Sequence, residues 1–269
     1  MEGTGRKRRV GIIGAGKIGG SLLVRLAASG DYELSVSDTH PERLAEYERS
    51  YGVGAASSNA ELAEGCEIII VAVKPWDVAG VLREIYPAVE GTEKAVTSVA
   101  AGISIAAIEE GLPPGTAVLR VMPNVCASVG LGSAVVTSNE PGRRLLPEVM
   151  AIFRHVGDVI ELPERLFDAA TALHGSGPAY VALFADALIQ AGVREGIPRE
   201  VARRLVNATL QGTAVLLKEQ SPHQVRDEVM TPGGTTAAAF VAMEKAGFVG
   251  AVYDGVNAAA ERARGLGGK

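Results

Sequence analysis

The segment from Val10 to Gly19, reading Val-Gly-Ile-Ile-Gly-Ala-Gly-Lys-Ile-Gly, constrains the fold more than any other part of this chain. A short β-branched run ends in three glycines, and Leu22, Leu23 and Leu26 follow at helical spacing. A G-x-G-x-x-G match alone is weak. Between a strand and a helix, each glycine has its own task. Gly14 allows the tight turn, Gly16 lets the backbone approach a pyrophosphate, and Gly19 lets helix and strand pack closely. Ala15, Lys17 and Ile18 complete the turn, and the phosphates would sit on free N–H groups at the helix N-terminus. The pattern predicts dinucleotide binding. Its alternative is a glycine turn with a purely structural role.

The surrounding pattern agrees. Continuous apolar, β-branched runs at 10–13, 33–37, 68–72, 95–99 and 117–121 read as strands buried on both faces. Helix signals fall between them. Pro41 opens a helix over 42–50 and Pro75 another over 76–86, while Ser104 caps 105–110 with Gly111 as the stop. Alternating strand and helix implies right-handed βαβ units and a parallel sheet. Beyond about residue 163 the strand signals stop, and helical spacing covers 178–195, 198–218, 221–229, 235–246 and 248–264. The expected architecture is α/β: a Rossmann-like dinucleotide-binding domain over 1–162, then an all-helical domain over 163–269. The wide apolar faces of the second domain suit either subunit association or packing on the first domain.

Two further features bear on chemistry. Asp38 stands about 20 residues past Gly19, where a carboxylate hydrogen-bonds the adenosine ribose and repels the extra phosphate of NADP. It also fits an N-cap of the Pro41 helix. The stretch Met230-Thr-Pro-Gly233-Gly234-Thr235-Thr236 puts backbone N–H groups and two hydroxyls at a helix start. That suits an anion such as a carboxylate; an ordinary loop with a threonine N-cap is the alternative.

Composition excludes several classes. The net charge is -5, against the basic balance of nucleic-acid binders. The run Ile68–Val73 falls far short of the roughly 18 apolar residues of a membrane span. Arg6-Lys-Arg-Arg9 lacks the apolar stretch of a signal peptide and reads as a solvated tail. Two cysteines, Cys66 and Cys126, make no disulfide framework and fit a reducing cytoplasm. The four histidines have no metal-ligand spacing, so no metal is expected.

Six segments together resemble the pyrroline-5-carboxylate reductases from Val10 to about Arg264. They are the glycine turn, Ala72-Val73-Lys74-Pro75, Ser98-Val-Ala100-Ala101-Gly102, Arg120-Val-Met-Pro-Asn124, Gly175-Ser-Gly-Pro-Ala-Tyr180 and Arg226-Asp-Glu-Val-Met-Thr-Pro-Gly-Gly-Thr-Thr236. The resemblance implies hydride transfer from NADH or NADPH to the C=N carbon of 1-pyrroline-5-carboxylate, the last step of proline biosynthesis. It implies that Gly233, Gly234, Thr235 and Thr236 hold the substrate carboxylate, with the Thr236 hydroxyl near the ring nitrogen as catalytic residue, and Glu219 near the site. It places Asn59, Ala72, Val73, Lys74, Pro75, Ala100, Ala101, Gly102 and Asn124 beside the cofactor. It also implies a homodimer through the helical domain, often built into a decamer.

The chain departs from that pattern near the expected substrate site. Asp38-Thr-His-Pro41 replaces Asn-Arg-Ser-Pro, so the arginine that would meet an NADP phosphate is missing; Asp38 favours NADH where the family favours NADPH. Val125 and Cys126 replace Thr-Pro, and His174 replaces Ser. His174 could supply a proton or be a loop residue without a chemical role. These changes keep a second cyclic imine carboxylate open as substrate. A non-catalytic nucleotide sensor is a third reading, which the intact Pro-Gly-Gly-Thr-Thr loop opposes.

Overall fold

A computed structural model describes residues 6–265. The first unit runs to Gly175 and takes in the chain again from Ala260; Ser176–Ala259 form the second.

The first unit carries β1 (Arg8–Ile13), α1 (Lys17–Ser29), β2 (Tyr32–Ser37), α2 (Pro41–Tyr51), β3 (Gly54–Ala55), α3 (Asn59–Gly65), β4 (Ile68–Val71), α4 (Val78–Val89), β5 (Ala95–Ser98), α5 (Ile105–Glu109), β6 (Ala117–Pro123), β7 (Gly132–Ser138), α6 (Leu146–Arg154), β8 (Gly157–Glu161) and α7 (Phe167–Ala170). All eight strands form one sheet in the order β3-β2-β1-β4-β5-β6-β7-β8. Strands β3 to β6 are mutually parallel. The order reverses between β1 and β4, which is where open α/β sheets bind ligands.

The continuous apolar strands serve both faces of the sheet. Ile68 and Ile70 join one buried cluster with Leu22 and Leu26 of α1 and Ile152 and Phe153 of α6. Ile69 and Val71 join the other, with Leu62 of α3, Leu82 and Ile85 of α4 and Ile108 of α5. Successive side chains point to opposite faces, so helices cover both sides. Each such buried side chain contributes about 1.5–3 kcal/mol.

The five expected strands are present, and three more accompany them. β3 has only two residues. β7 is antiparallel to β6, so the sheet is not parallel throughout. β7 begins Gly-Ser and ends Thr-Ser, which masks its apolar centre, and the edge strand β8 buries only Val159. Pro75 opens a 3-10 turn, Pro75–Asp77, so α4 starts later than expected, at Val78. The basic run is not all tail: Arg8 and Arg9 lie in β1, where Arg8 pairs with Glu148 and Glu67. Met1–Gly5 lie outside the described residues.

The first compact unit extends to Gly175, past residue 162, where the sequence passes from strand to helix signals. Segment 164–175 packs on the sheet. Phe167 is fully buried and the Arg120 guanidinium stacks 4.7 Å over its ring. Glu164 accepts from Arg120 Nη1 at 2.9 Å and from the Ile105 N–H at 2.8 Å.

The second unit is helical: α8 (Gly177–Arg194), α9 (Arg199–Leu216), α10 (Pro222–Val229), α11 (Thr235–Lys245) and most of α12 (Phe248–Arg264). Small residues bring α8 and α9 together; a Cβ on Gly192 would lie 3.3 Å from Ala202. Ser221 caps α10 through a full capping box with Gln224, in the N-cap position the sequence indicates. Leu183, Leu205, Val215, Val252 and Tyr253 stay exposed on the single chain. Among the described residues no helix is long and apolar enough to cross a membrane.

Candidate active site

The glycine turn follows β1, beside the C-terminal end of β4. The Gly14 N–H donates to Ser37 O, and the Ala72 N–H donates to Ile13 O, each at 2.8 Å. Gly14 has φ +96°, and a Cβ there would meet Ala72 O at 2.8 Å. A Cβ on Gly19 would stand 2.0 Å from Gly14 O, so only glycine lets α1 close on the turn. Gly16 is different. A Cβ there meets nothing within 4 Å, and Gly16 caps α1 without any side-chain hydrogen bond. The first turn of α1 holds no acidic residue. The backbone therefore faces open room with orphan N–H donors, which fits a dinucleotide pyrophosphate.

Asp38 does not cap α2; that position belongs to His40. One Asp38 oxygen accepts the Ala15 N–H at 2.7 Å. The other accepts the His40 N–H and faces His40 Nδ1, both at 2.9 Å. Arg43 Nη1 reaches Asp38 Oδ2 at 3.5 Å. The carboxylate is 6% exposed. Its burial alone would raise its pKa, but the Ala15 and His40 hydrogen bonds and the Arg43 charge outweigh that and hold it below the usual value. Arg43, one helical turn beyond Asp38 in the sequence, is thus brought against the carboxylate.

The other expected cofactor residues gather along the same edge, after the C-terminal ends of β4, β5 and β6. Ala72 and Val73 follow β4, and exposed Lys74 precedes the Pro75 turn. Ala100 is buried, its N–H donating to Ser98 Oγ, and Gly102 takes φ +77°. Asn59 opens α3 with its amide engaged on both sides: Oδ1 accepts from Ser37 Oγ and Nδ2 donates to Glu84, each at 2.6 Å. Asn124 is likewise engaged. Its Oδ1 accepts the Cys126 and Ser133 N–H groups at 3.2 Å, and its Nδ2 donates to His174 O at 3.0 Å. Both amides shape the edge through their side chains, leaving the backbone as the part open to a ligand.

In the second unit, Thr231 O accepts the Gly234 N–H at 3.0 Å, with Pro232 and Gly233 (φ +69°) between them. That is the residue pattern of a type II turn. A Cβ on Gly234 would strike Thr231 Oγ1 at 2.4 Å. The N-cap of α11 is Gly234, not a threonine, and no side chain caps the helix. Thr235 and half-buried Thr236 form its first turn. Glu219 is exposed after α9, and among the described residues no hydrogen bond ties it to this loop. No described cluster of three or more His, Cys, Asp or Glu is placed to hold a metal ion.

Comparisons with known proteins point one way. A family model described as pyrroline-5-carboxylate reductase dimerisation matches residues 164–266. Another, described as NADP oxidoreductase, coenzyme F420-dependent, matches residues 9–102. A pyrroline-5-carboxylate reductase of Synechocystis sp. is 40% identical over 269 residues, covering 97% of this chain and 99% of the relative. Pyrroline-5-carboxylate reductase 3 of Rattus norvegicus is 37% identical, covering 96% of both. Among solved structures, a pyrroline-5-carboxylate reductase from Coxiella burnetii superposes with a TM-score of 0.93 at 30% identity, covering 98% of this chain and 100% of that one. A Plasmodium falciparum pyrroline carboxylate reductase with NADP bound gives 0.84 at 33% identity, covering 97% and 98%.

Proposed function

This chain belongs to the pyrroline-5-carboxylate reductase family, and we propose on that premise that it reduces 1-pyrroline-5-carboxylate to L-proline with NADH or NADPH. The observation that carries the reading is the pairing, in one chain, of an open glycine turn at the switch point of the sheet with an uncapped Pro-Gly-Gly-Thr-Thr helix start.

The bound dinucleotide supplies the hydride. The chain's own work is positioning and electrostatics, because a protonated imine is already an electrophile. The N–H groups at the start of α1 hold the pyrophosphate, beside Gly14 to Gly19 and Asp38. The backbone after β4, β5 and β6, from Ala72 to Pro75, Ala100 to Gly102 and at Asn124, lines the cofactor, and Asn59 supports it. The N–H groups around Gly233, Gly234 and Thr235 take the substrate carboxylate, which the positive end of the α11 dipole favours. The Thr236 hydroxyl sits by the ring nitrogen and holds its proton. Glu219 borders the same site.

The protein is a homo-oligomer through its dimerisation segment. We assign the contact to the exposed apolar faces of the helical unit, with assembly of dimers into a decamer and a cytoplasmic location. An absorbance assay at 340 nm with pyrroline-5-carboxylate and either NADH or NADPH tests the reaction. Rapid loss of absorbance supports it. No loss from folded, cofactor-binding protein overturns it and moves attention to other cyclic imines, since Val125, Cys126 and His174 are where the chain departs from its relatives' pattern.

A further inference from the structure

The structure makes His174 the fastener of the turn that follows β6. His174 sits in a five-residue π-helical segment, Thr171–Gly175. Such segments are rare and recur at functional sites. Its ring Nδ1 lies 2.6 Å from Ala170 O, and its Nε2 lies 2.8 Å from Met122 O. Both partners are carbonyl oxygens, which can only accept. The tautomer sets which of them a ring N–H donates to, and the imidazole lies between the two either way.

The tie is reciprocal. Met122 O faces the His174 ring, and His174 O receives the Asn124 amide at 3.0 Å. Asn124 in turn fixes the turn through the Cys126 and Ser133 N–H groups. We propose that His174 is a positioning residue for the reductase: it fastens the Met122–Asn124 turn at the C-terminal end of β6 to segment 170–175. Both ring nitrogens already face backbone oxygens, so the ring works on the backbone and not on the substrate.

The charged groups of the packed elements are Asp168 on α7 and Arg120 on β6; β7 has none. Arg120 is engaged with Glu164 and Phe167. Among the described residues no carboxylate hydrogen-bonds the ring, so the two carbonyls are its partners.

The proposal rests on the reductase reading only in its kinetic arm, so two measurements are made. The first is the 15N–1H NMR spectrum of histidine-labelled intact protein, with His174→Ser identifying the resonances. The expected result is a slowly exchanging ring N–H for His174, held by a backbone carbonyl. A ring N–H that exchanges as fast as that of free histidine overturns the proposal without touching the reaction assignment. The second is the split between kcat and KM beside the Tm. His174→Asn, which can reach one carbonyl at most, should lower kcat several-fold while KM and Tm stay near native. A kcat unchanged in His174→Asn would overturn the positioning role while leaving the reductase intact.

Discussion

The Asp38 carboxylate accepts the Ala15 N–H at 2.7 Å, which ties the end of β2 to the glycine turn after β1. A carboxylate expected to wait for a ribose is thus already part of the turn's own structure. Its burial without those bonds would favour the neutral acid; with them the anion wins.

This gives a stability prediction with a defined sign. Asp38 binds its proton less readily when folded than when unfolded, so it stabilises the fold fully above the ordinary carboxylate range. That contribution is lost as the pH falls through its lowered folded value. Asp38→Asn should cost on the order of 1–3 kcal/mol at neutral pH, since an amide turned the wrong way leaves the Ala15 N–H unmatched. Its Tm should also fall less steeply on acidification than that of the native protein. Melting curves from pH 7 downward check both; parallel curves would show that the carboxylate adds nothing to the fold.

The glycines separate folding from binding. A methyl on Gly19 would press on Gly14 O at 2.0 Å, whereas one on Gly16 meets nothing. Gly19→Ala should therefore lower the Tm and abolish cofactor binding together. Gly16→Ala should lower the Tm far less, by about 0.5–1 kcal/mol equivalent, because alanine is a poorer N-cap than glycine. It should still weaken NAD(P)H binding about tenfold or more, because its methyl occupies ligand space. Cofactor fluorescence titration beside calorimetry distinguishes the two. Equal loss of Tm in both variants would mean the turn at Gly16 is closed rather than open.

Much of this was legible in the residues because strand, turn and helix signals agreed there. The continuous runs at Ile68 and Ala117 could only be strands covered on both faces, and Pro41 and Ser221 marked helix starts that the backbone honours. β7 and β8 escaped notice because Gly132, Ser133 and Asp158 carry turn chemistry, and their pairing depends on long-range register. The Arg120–Glu164–Phe167 contact was equally hidden, since partners 44 residues apart share no local pattern. The side-chain bonds of Asn59 and Asn124, which the family resemblance puts beside the cofactor, were likewise hidden, since their partners lie far away in sequence.

We predict that cofactor preference turns on Arg43. Its guanidinium lies 3.5 Å from Asp38 Oδ2 and is 42% exposed, on the face where the adenosine ribose of a Rossmann-like domain lies. Asp38 has its negative charge shared among the Ala15 and His40 N–H groups and Arg43, which mutes its repulsion of a 2′-phosphate. Arg43→Ala should raise KM for NADPH about tenfold, the worth of one charge-assisted contact, and leave KM for NADH nearly unchanged. Asp38→Ser should shift the ratio towards NADPH. Parallel saturation curves with the two cofactors decide this, and a ratio unmoved by either substitution would place the adenosine elsewhere.

Thr236 is the sharpest test of the substrate assignment. It stands in the first turn of α11, half-buried, after a Pro232-Gly233 turn whose Gly234 lies tight against Thr231. Removing its hydroxyl leaves the helix start intact, because Gly234 and not Thr236 is the N-cap. Thr236→Ala should therefore keep its Tm within about 0.5 kcal/mol equivalent of native. If the hydroxyl holds the ring nitrogen's proton as hydride arrives, kcat should fall about a hundredfold, as when one preorganised donor is removed from a reacting centre. Thr236→Ser should recover most of the rate. If KM for the imine rises while kcat holds, the hydroxyl only helps bind the carboxylate, and the proton must reach the nitrogen from water.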